Sequence, residues 1–167
     1  MRIRSLLIAC ALLGALPASA ATGPRLSVAN LSDISVPDRP YDENADADAA
    51  VANALARAKA EHKRLMIDLG GNWCADCRIL SGVMAIPEVR HLLDTHYVVV
   101  LVDVGRFNRN LQIPARFGIT QRLEGVPSVL ITDASGKLVD AGHIAALADA
   151  RSMTPQAIAD WLAQWTS

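Results

Sequence analysis

The hydrophobic positions of this chain alternate between short apolar runs and stretches with helical periodicity. Leu65–Leu69 is an apolar run and Tyr97–Val104 is rich in β-branched residues, so both are predicted to be strands. Between them, the chain from Cys74 to about Met84 is predicted to be helical, and Pro87 begins a further helix that continues to Leu93. This alternation favours an α/β fold in which the second strand is buried and pairs in parallel.

The C-terminal half adds a short helix, a hairpin and a final helix. A helical stretch is predicted around Ile113–Phe117. Ser128–Thr132 and Lys137–Ala141 flank a turn rich in small and polar residues, which predicts a β-hairpin. Thr154 as N-cap and Pro155 at the first helical position begin the last helix.

Residues 1–20 have the pattern of a secretory signal peptide. Arg2 and Arg4 form a basic start, Leu6–Leu16 is apolar, and a small-residue cleavage signal ends at Ala20. The apolar stretch is shorter than the roughly 20 residues of a membrane-spanning helix. Cleavage after Ala20 and export to the periplasm are therefore expected. The alternative is a lipoprotein anchored at Cys10, which a short lipoprotein-like box precedes.

Downstream of the signal peptide, the sequence predicts an extended segment and one domain. Residues 21–43 carry three prolines and few periodic apolar positions, which is typical of extended chain. Residues 44–167 are assigned to the domain, which opens with an Ala-rich helix running to about Lys63. The whole chain has a net charge of −1, and its charge pattern does not indicate a nucleic-acid partner.

Cys74 and Cys77 are the only cysteines that would remain after cleavage. They follow the Leu65–Leu69 strand directly, so Cys74 is predicted to lie at a helix N-terminus, where the helix dipole stabilises a thiolate. Cys74 is then the nucleophile, and Cys77, one turn further on, attacks a mixed disulfide formed on Cys74. Two further ligands would be needed for zinc, and the four histidines show no paired spacing, so no metal is expected.

The sequence resembles the thioredoxin superfamily over roughly residues 50 to 165. The resemblance rests on Trp73-Cys74-Ala75-Asp76-Cys77 after an apolar strand, followed by Gly125-Val126-Pro127-Ser128 before the hairpin. The chain is most similar to exported thioredoxin-like proteins and to the periplasmic C-terminal domain of the membrane disulfide reductase. This resemblance implies a mixed central sheet flanked by helices, here with an N-terminal helical extension.

The resemblance also implies roles for three residues around the cysteines. Asp68 occupies the position of a buried acid that exchanges a proton with the second thiol, although an Asp can also merely cap a turn. Pro127 matches a cis-proline that exposes the backbone of Val126 to an extended client, the alternative being an ordinary trans proline. Trp73 is expected to pack beside the motif and to contribute an edge to client docking.

The sequence departs from thioredoxin in the segments around its motif. Gly70 and Gly71 replace an aromatic-containing segment. The loop after Asp103 is longer and carries Arg106 and Arg109, and extra residues precede Gly125. These loops are predicted to select the partner. Between and after the cysteines, two charged side chains, Asp76 and Arg78, are expected to be exposed and solvated.

These features together predict a monomeric periplasmic thiol:disulfide oxidoreductase with no cofactor other than the Cys74–Cys77 disulfide. Net reduction of client disulfides is expected, because Asp76 disfavours the Cys74 thiolate and no histidine lies between the cysteines. Such a reductant would require a membrane-embedded thiol reductase as its electron donor. The alternatives are a non-catalytic client-binding or chaperone-like module, and a disulfide donor or isomerase.

Overall fold

The computed structural model describes residues 22–166, so the predicted signal peptide lies outside the described residues. A three-stranded mixed sheet forms the centre, with β1 (Arg64–Gly70) between β2 (Tyr97–Asp103) and β3 (Ser128–Thr132). β1 pairs in parallel with β2 and antiparallel with β3. The predicted mixed α/β sheet is therefore confirmed.

Five α-helices and two short 3₁₀ turns surround this sheet in the described part of the chain. The helices are α1 (Ala47–Ala60), α2 (Ala75–Met84), α3 (Pro87–His96), α4 (Gln112–Ala115) and α5 (Pro155–Ala163). The 3₁₀ turns are Leu31–Asp33 and Ala150–Ser152. Within residues 22–166, none of the helices has the length and apolar character required to cross a membrane.

The core divides into two clusters, which explains why β1 is a continuous apolar run. Leu65, Ile67 and Leu69 pack in the cluster that contains the buried side of α1, whereas Met66 packs in the cluster formed with α2, α3 and α5. Every β1 residue after Arg64 is buried. A strand covered on both faces has no need of polar alternation.

The predicted hairpin forms only in part. β3 is present, but the returning segment makes a single antiparallel bridge, between Thr132 and Leu138, instead of a strand over Lys137–Ala141. The Asp140 carboxylate accepts the Ile131 N–H at 2.9 Å, where a continued strand would offer a backbone carbonyl. The Asp140 side chain thus takes the place of a backbone acceptor of the β-ladder, and Asp side chains often compete with backbone carbonyls in this way.

The segment before α1 lies along the domain and leads to the cysteines. Near its start, the Gly23 N–H donates to the Asp160 carboxylate at 2.9 Å, and the Ser27 N–H donates to Glu88 at 2.9 Å. Further on, Tyr41 is only 2% exposed and belongs to the core cluster that includes both cysteines. The segment therefore supplies a side chain to the interior of the domain.

Candidate active site

Cys74 and Cys77 lie at the junction between β1 and α2, as the sequence predicts. Cys74 is the N-cap of α2, and its Sγ accepts the Cys77 N–H at 3.1 Å. The two residues form a disulfide with Cα atoms 5.3 Å apart. Cys74 is 5% exposed and Cys77 is fully buried. Cys74 is therefore the sulfur nearer to solvent, and it faces the free N–H groups of a helix start, which favour a thiolate.

The loop before β3 meets Cys74 directly. The Val126–Pro127 peptide bond is cis, in agreement with the resemblance. The carbonyl oxygen of Val126 lies 3.3 Å from Cys74 Sγ. The two sequence motifs, 52 residues apart, thus form one surface.

Asp68 lies in the central strand and is fully buried. Burial raises its pKa to about 7, because the charged carboxylate loses its hydration. The Tyr41 hydroxyl donates to Oδ2 at 2.9 Å and partly opposes this rise. Oδ1 has no hydrogen-bond partner among the described residues. A carboxyl group with a pKa near neutrality can accept and return a proton at physiological pH.

Tyr41 is the site residue that sequence reasoning missed. A Cβ on Gly70 would lie 2.3 Å from Tyr41 Oη and 2.9 Å from Cys77 Sγ, so the hydroxyl and the buried sulfur both contact the backbone at Gly70. Two hydrogen bonds hold the Tyr41 backbone to Asn72, one of 3.0 Å from the Tyr41 N–H and one of 2.9 Å to its carbonyl. Burial and the nearby Asp68 raise the pKa of Tyr41, which keeps its phenol protonated.

The only sequence signal for this contact was Gly70. The family pattern has an aromatic-containing segment there, and its replacement by glycines leaves room for an aromatic ring from elsewhere. Nothing local to Tyr41, in a Pro-rich segment that is predicted to be extended, indicates a partner 27 residues away.

Asp76 is not the exposed, solvated residue that the sequence predicts. It is 2% exposed, and its carboxylate binds Arg151 of the second 3₁₀ turn through the backbone N–H at 2.9 Å and Nε at 3.0 and 3.1 Å, with a further contact to Nη2. Arg78 is one-third exposed and lies 3.4 Å from the exposed Asp38. The prediction for Asp76 was wrong because its partner is 75 residues downstream.

Trp73 borders the cysteines on the solvent side. It is 42% exposed, and its Nε1–H donates to the Gly105 carbonyl at 2.7 Å. The Phe107 ring meets it edge-on at 6.2 Å, and the Arg106 guanidinium lies 4.8 Å from the indole centroid. Arg109 instead forms an ion pair with Asp103 at 3.1 Å. Of the two predicted loop arginines, Arg106 thus faces the site and Arg109 braces the loop.

Among residues 22–166, there is no group of three or more His, Cys, Asp or Glu side chains that could hold a metal ion. The candidate site thus consists of the Cys74–Cys77 disulfide and of the hydrogen-bonded pair formed by the Asp68 carboxyl group and the Tyr41 hydroxyl.

Comparison with known proteins agrees with this geometry. The family model described as thioredoxin-like matches residues 46–134. A disulphide isomerase from Xylella fastidiosa, known from its crystal structure, is 39% identical, with 77% of this chain and 97% of that chain covered and a TM-score of 0.71. A DsbH oxidoreductase is 19% identical over 78% of this chain and 79% of its own, with a TM-score of 0.39.

A protein of unknown function from Pseudomonas aeruginosa is 21% identical over 72% of this chain and 86% of its own, with a TM-score of 0.41. Comparison with curated protein sequences gives no match. The family match covers more than half of the chain, and the Xylella relative is covered almost completely. The chain therefore belongs to the thioredoxin-like family and has the fold and the cysteine pair of a thiol-disulfide oxidoreductase.

Proposed function

We propose that this protein is a periplasmic reductase of disulfides in client proteins, with Cys74 as the attacking residue and Cys77 as the resolving residue. The observation that carries the proposal is the asymmetry of the pair. Cys74 caps α2 and faces the Val126 carbonyl, whereas Cys77 is fully buried beside Tyr41.

The reaction begins from the reduced pair. The Cys74 thiolate attacks one client sulfur, a Cys74–client disulfide forms, and the other client sulfur leaves as a thiolate. The Cys77 thiolate then attacks Cys74 Sγ, which forms the Cys74–Cys77 disulfide and releases the second client thiolate. Two electrons pass to the client, and the protein is left oxidised.

Val126 and Trp73 border the path of an approaching client. The Val126 backbone lies against Cys74 Sγ, so an extended client segment that pairs with this backbone brings its own sulfur to Cys74. The exposed edge of Trp73 adds an apolar contact on the adjacent side.

Asp68 and Tyr41 serve the second step. Cys77 must lose its proton before it can attack, and it is too buried to reach bulk water. Asp68, with its pKa near 7, accepts this proton, and the Tyr41 hydroxyl donates to the carboxylate form. Tyr41 is thus a positioning residue that acts through Asp68.

The proposed direction of electron flow rests on the residues between the cysteines. Strong oxidants hold their nucleophilic thiolate at a low pKa with nearby positive charge. Here Ala75 is neutral and Arg151 neutralises Asp76, so this pair supplies no net cation to Cys74. Asp76 therefore opposes the Cys74 thiolate less than an unpaired acid would, but neither residue between the cysteines stabilises that thiolate.

The name of the Xylella relative favours a second candidate function, disulfide isomerisation. Both activities need the reduced pair, which membrane-embedded thiol reductases maintain against an oxidising periplasm. A client with scrambled disulfides separates the two functions, because an isomerase restores its activity without net thiol formation.

A dithiol-coupled reduction assay on a model disulfide tests the proposed reductase activity directly. Turnover is expected for the wild type and none for Cys74→Ser. A reduction potential near −120 mV, the value of the strong periplasmic oxidant, would instead make the protein a disulfide donor. If the protein binds clients but shows no turnover, it is instead a non-catalytic client-binding module.

Export is tested separately by the intact mass of protein recovered from the periplasm. A chain that begins at residue 21 is expected. A diacylated chain that begins at Cys10 would replace this expectation with a lipoprotein.

The protein is also proposed to be a monomer, and it is expected to elute as a single monomeric species in size-exclusion chromatography.

A further inference from the structure

The two loops that lengthen this chain enclose a groove of about 350 Å³. Its walls include Phe107, Leu111 and Ile119, and Leu123 lies at its base. Leu111 is 42% exposed, as is Trp73, which directly precedes Cys74 in the chain and contacts the groove residue Phe107. The groove therefore continues the surface of the active site with apolar side chains.

Two arginines cover the aromatic rings at this surface. The Arg106 guanidinium lies 4.8 Å from the Trp73 centroid, and the Arg122 guanidinium lies 4.7 Å from the Phe107 centroid. Within residues 22–166, neither guanidinium forms an ion pair with a carboxylate, whereas Arg109 and Arg116 pair with Asp103 and Asp48. Guanidinium groups stacked on rings keep their edges free for hydrogen bonds to an incoming carboxylate.

The loop backbone that holds Phe107 is unusual. Phe107 has a φ of 64°, a left-handed conformation that is costly for a bulky residue. Asn side chains brace the loop, since Asn108 accepts the Arg106 N–H at 2.9 Å and Asn110 donates to the Asp103 carbonyl at 2.7 Å. This conformation places the Phe107 ring in contact with Trp73 and under the Arg122 guanidinium.

The local charge indicates the class of occupant. Residues 104–125 contain four arginines and one glutamate, and because Arg109 and Arg116 are paired with carboxylates, Arg106 and Arg122 are the two left to meet an acidic ligand. The geometry points to client segments in which acidic residues flank an apolar residue and a disulfide-bonded cysteine. The apolar side chain enters the groove, the acids meet Arg106 and Arg122, and the cysteine reaches Cys74. This inference rests on the proposed function and names its substrate class.

Three peptides that differ only in two flanking residues test the inference. In each peptide a Leu lies between the two variable residues, which are both Glu in the first peptide, both Gln in the second and both Lys in the third. Each peptide also carries a cysteine joined by a disulfide to the same fluorescent thiol. At low salt, kcat/KM is expected to be at least about fivefold higher for the Glu peptide than for the Lys peptide, and the ratio is expected to fall in high salt.

Matched variants assign this preference to the groove. Arg106→Gln combined with Arg122→Gln is expected to reduce the ratio to within about twofold. Arg57→Gln, which removes one exposed positive charge on α1, is the control that leaves the ratio unchanged. Leu111→Ser is expected to raise KM for all three peptides and to leave kcat unaltered.

Two further measurements distinguish failure of this inference from failure of the proposed function. Reduction of neutral bis(2-hydroxyethyl) disulfide reports on the chemistry alone. Binding of the same peptides with serine in place of cysteine reports on the groove alone. Equal binding of the Glu and Lys peptides would overturn the inference while the reductase assignment stood. A dimer that dissociates in the double arginine variant would assign the groove to a second copy and overturn it as well.

Discussion

Tyr41→Phe removes one hydroxyl from the interior and should change the pH dependence of client release. A hydrogen bond to a charged group is worth about 1.5–3 kcal/mol, and 1.36 kcal/mol corresponds to one pKa unit. The bond from Tyr41 favours the Asp68 carboxylate, so its loss should raise the pKa of Asp68 above about 7. The pH at which the resolution rate reaches half of its maximum should therefore increase by about one to two pH units.

The expected slowing of client release at pH 7 follows from the fraction of Asp68 that is ionised. About half of Asp68 is ionised in the wild type when its pKa is about 7. In Tyr41→Phe this fraction should fall to between about 10% and 1%, so that release of the mixed disulfide slows by roughly five- to fiftyfold. Single-turnover release of a fluorescent client, measured from pH 5 to 10, gives this profile. The first attack by Cys74 should be nearly unchanged.

Tyr97→Phe is the matched control for this experiment. Tyr97 is also a buried tyrosine, but its hydroxyl donates to the Leu162 carbonyl at 2.6 Å, away from the cysteines. Both variants lose a buried hydrogen bond, which costs about 1 kcal/mol of stability for Tyr97→Phe and up to about 3 kcal/mol for Tyr41→Phe. Only Tyr41→Phe should displace the pH profile. Superimposable profiles for Tyr41→Phe and the wild type would refute the proposed action of Tyr41 on Asp68.

Three further predictions concern the same centre. Cys77→Ser should accumulate mixed disulfides with clients on non-reducing gels, whereas Cys74→Ser should not. Equal trapping by both variants, or by neither, would contradict the assigned roles. Asp68→Asn should slow resolution at neutral pH and spare the first attack. It should also stabilise the oxidised protein, by about 2–3 kcal/mol more at pH 8 than at pH 5. The reason is that the raised pKa of Asp68 makes the folded wild type lose stability as pH rises from about 4 to about 7; chemical denaturation at both pH values measures this. Arg151→Gln should leave the Asp76 carboxylate buried without its cation and lower the free energy of unfolding by about 1–3 kcal/mol. It should also make the reduction potential of the cysteine pair more negative. An unchanged potential would show that Asp76 does not influence Cys74.

The cysteine centre was predictable because its signals are local in the sequence. An apolar run followed at once by Cys74 places that residue at a strand-to-helix junction, and hydrogen bonding from the Cys77 N–H follows from the geometry of a helix start. The position of Asp68 within the apolar run is enough to predict its burial and its raised pKa. The cis bond at Pro127 was predictable only through the family pattern.

The surroundings of that centre depend on contacts between distant parts of the chain. Tyr41 reaches Asp68 because glycine at position 70 leaves space for its ring, and a pattern of extended chain does not reveal such a contact. Asp76 is buried because Arg151 arrives from a turn 75 residues later, although the same acid at a helix start would by itself face solvent. Hydrophobic periodicity reports which side of an element is buried, whereas the partner of a polar side chain is decided by packing. The sequence alone therefore determined the sulfur chemistry, and the tertiary structure determined which groups adjust its protons and charges.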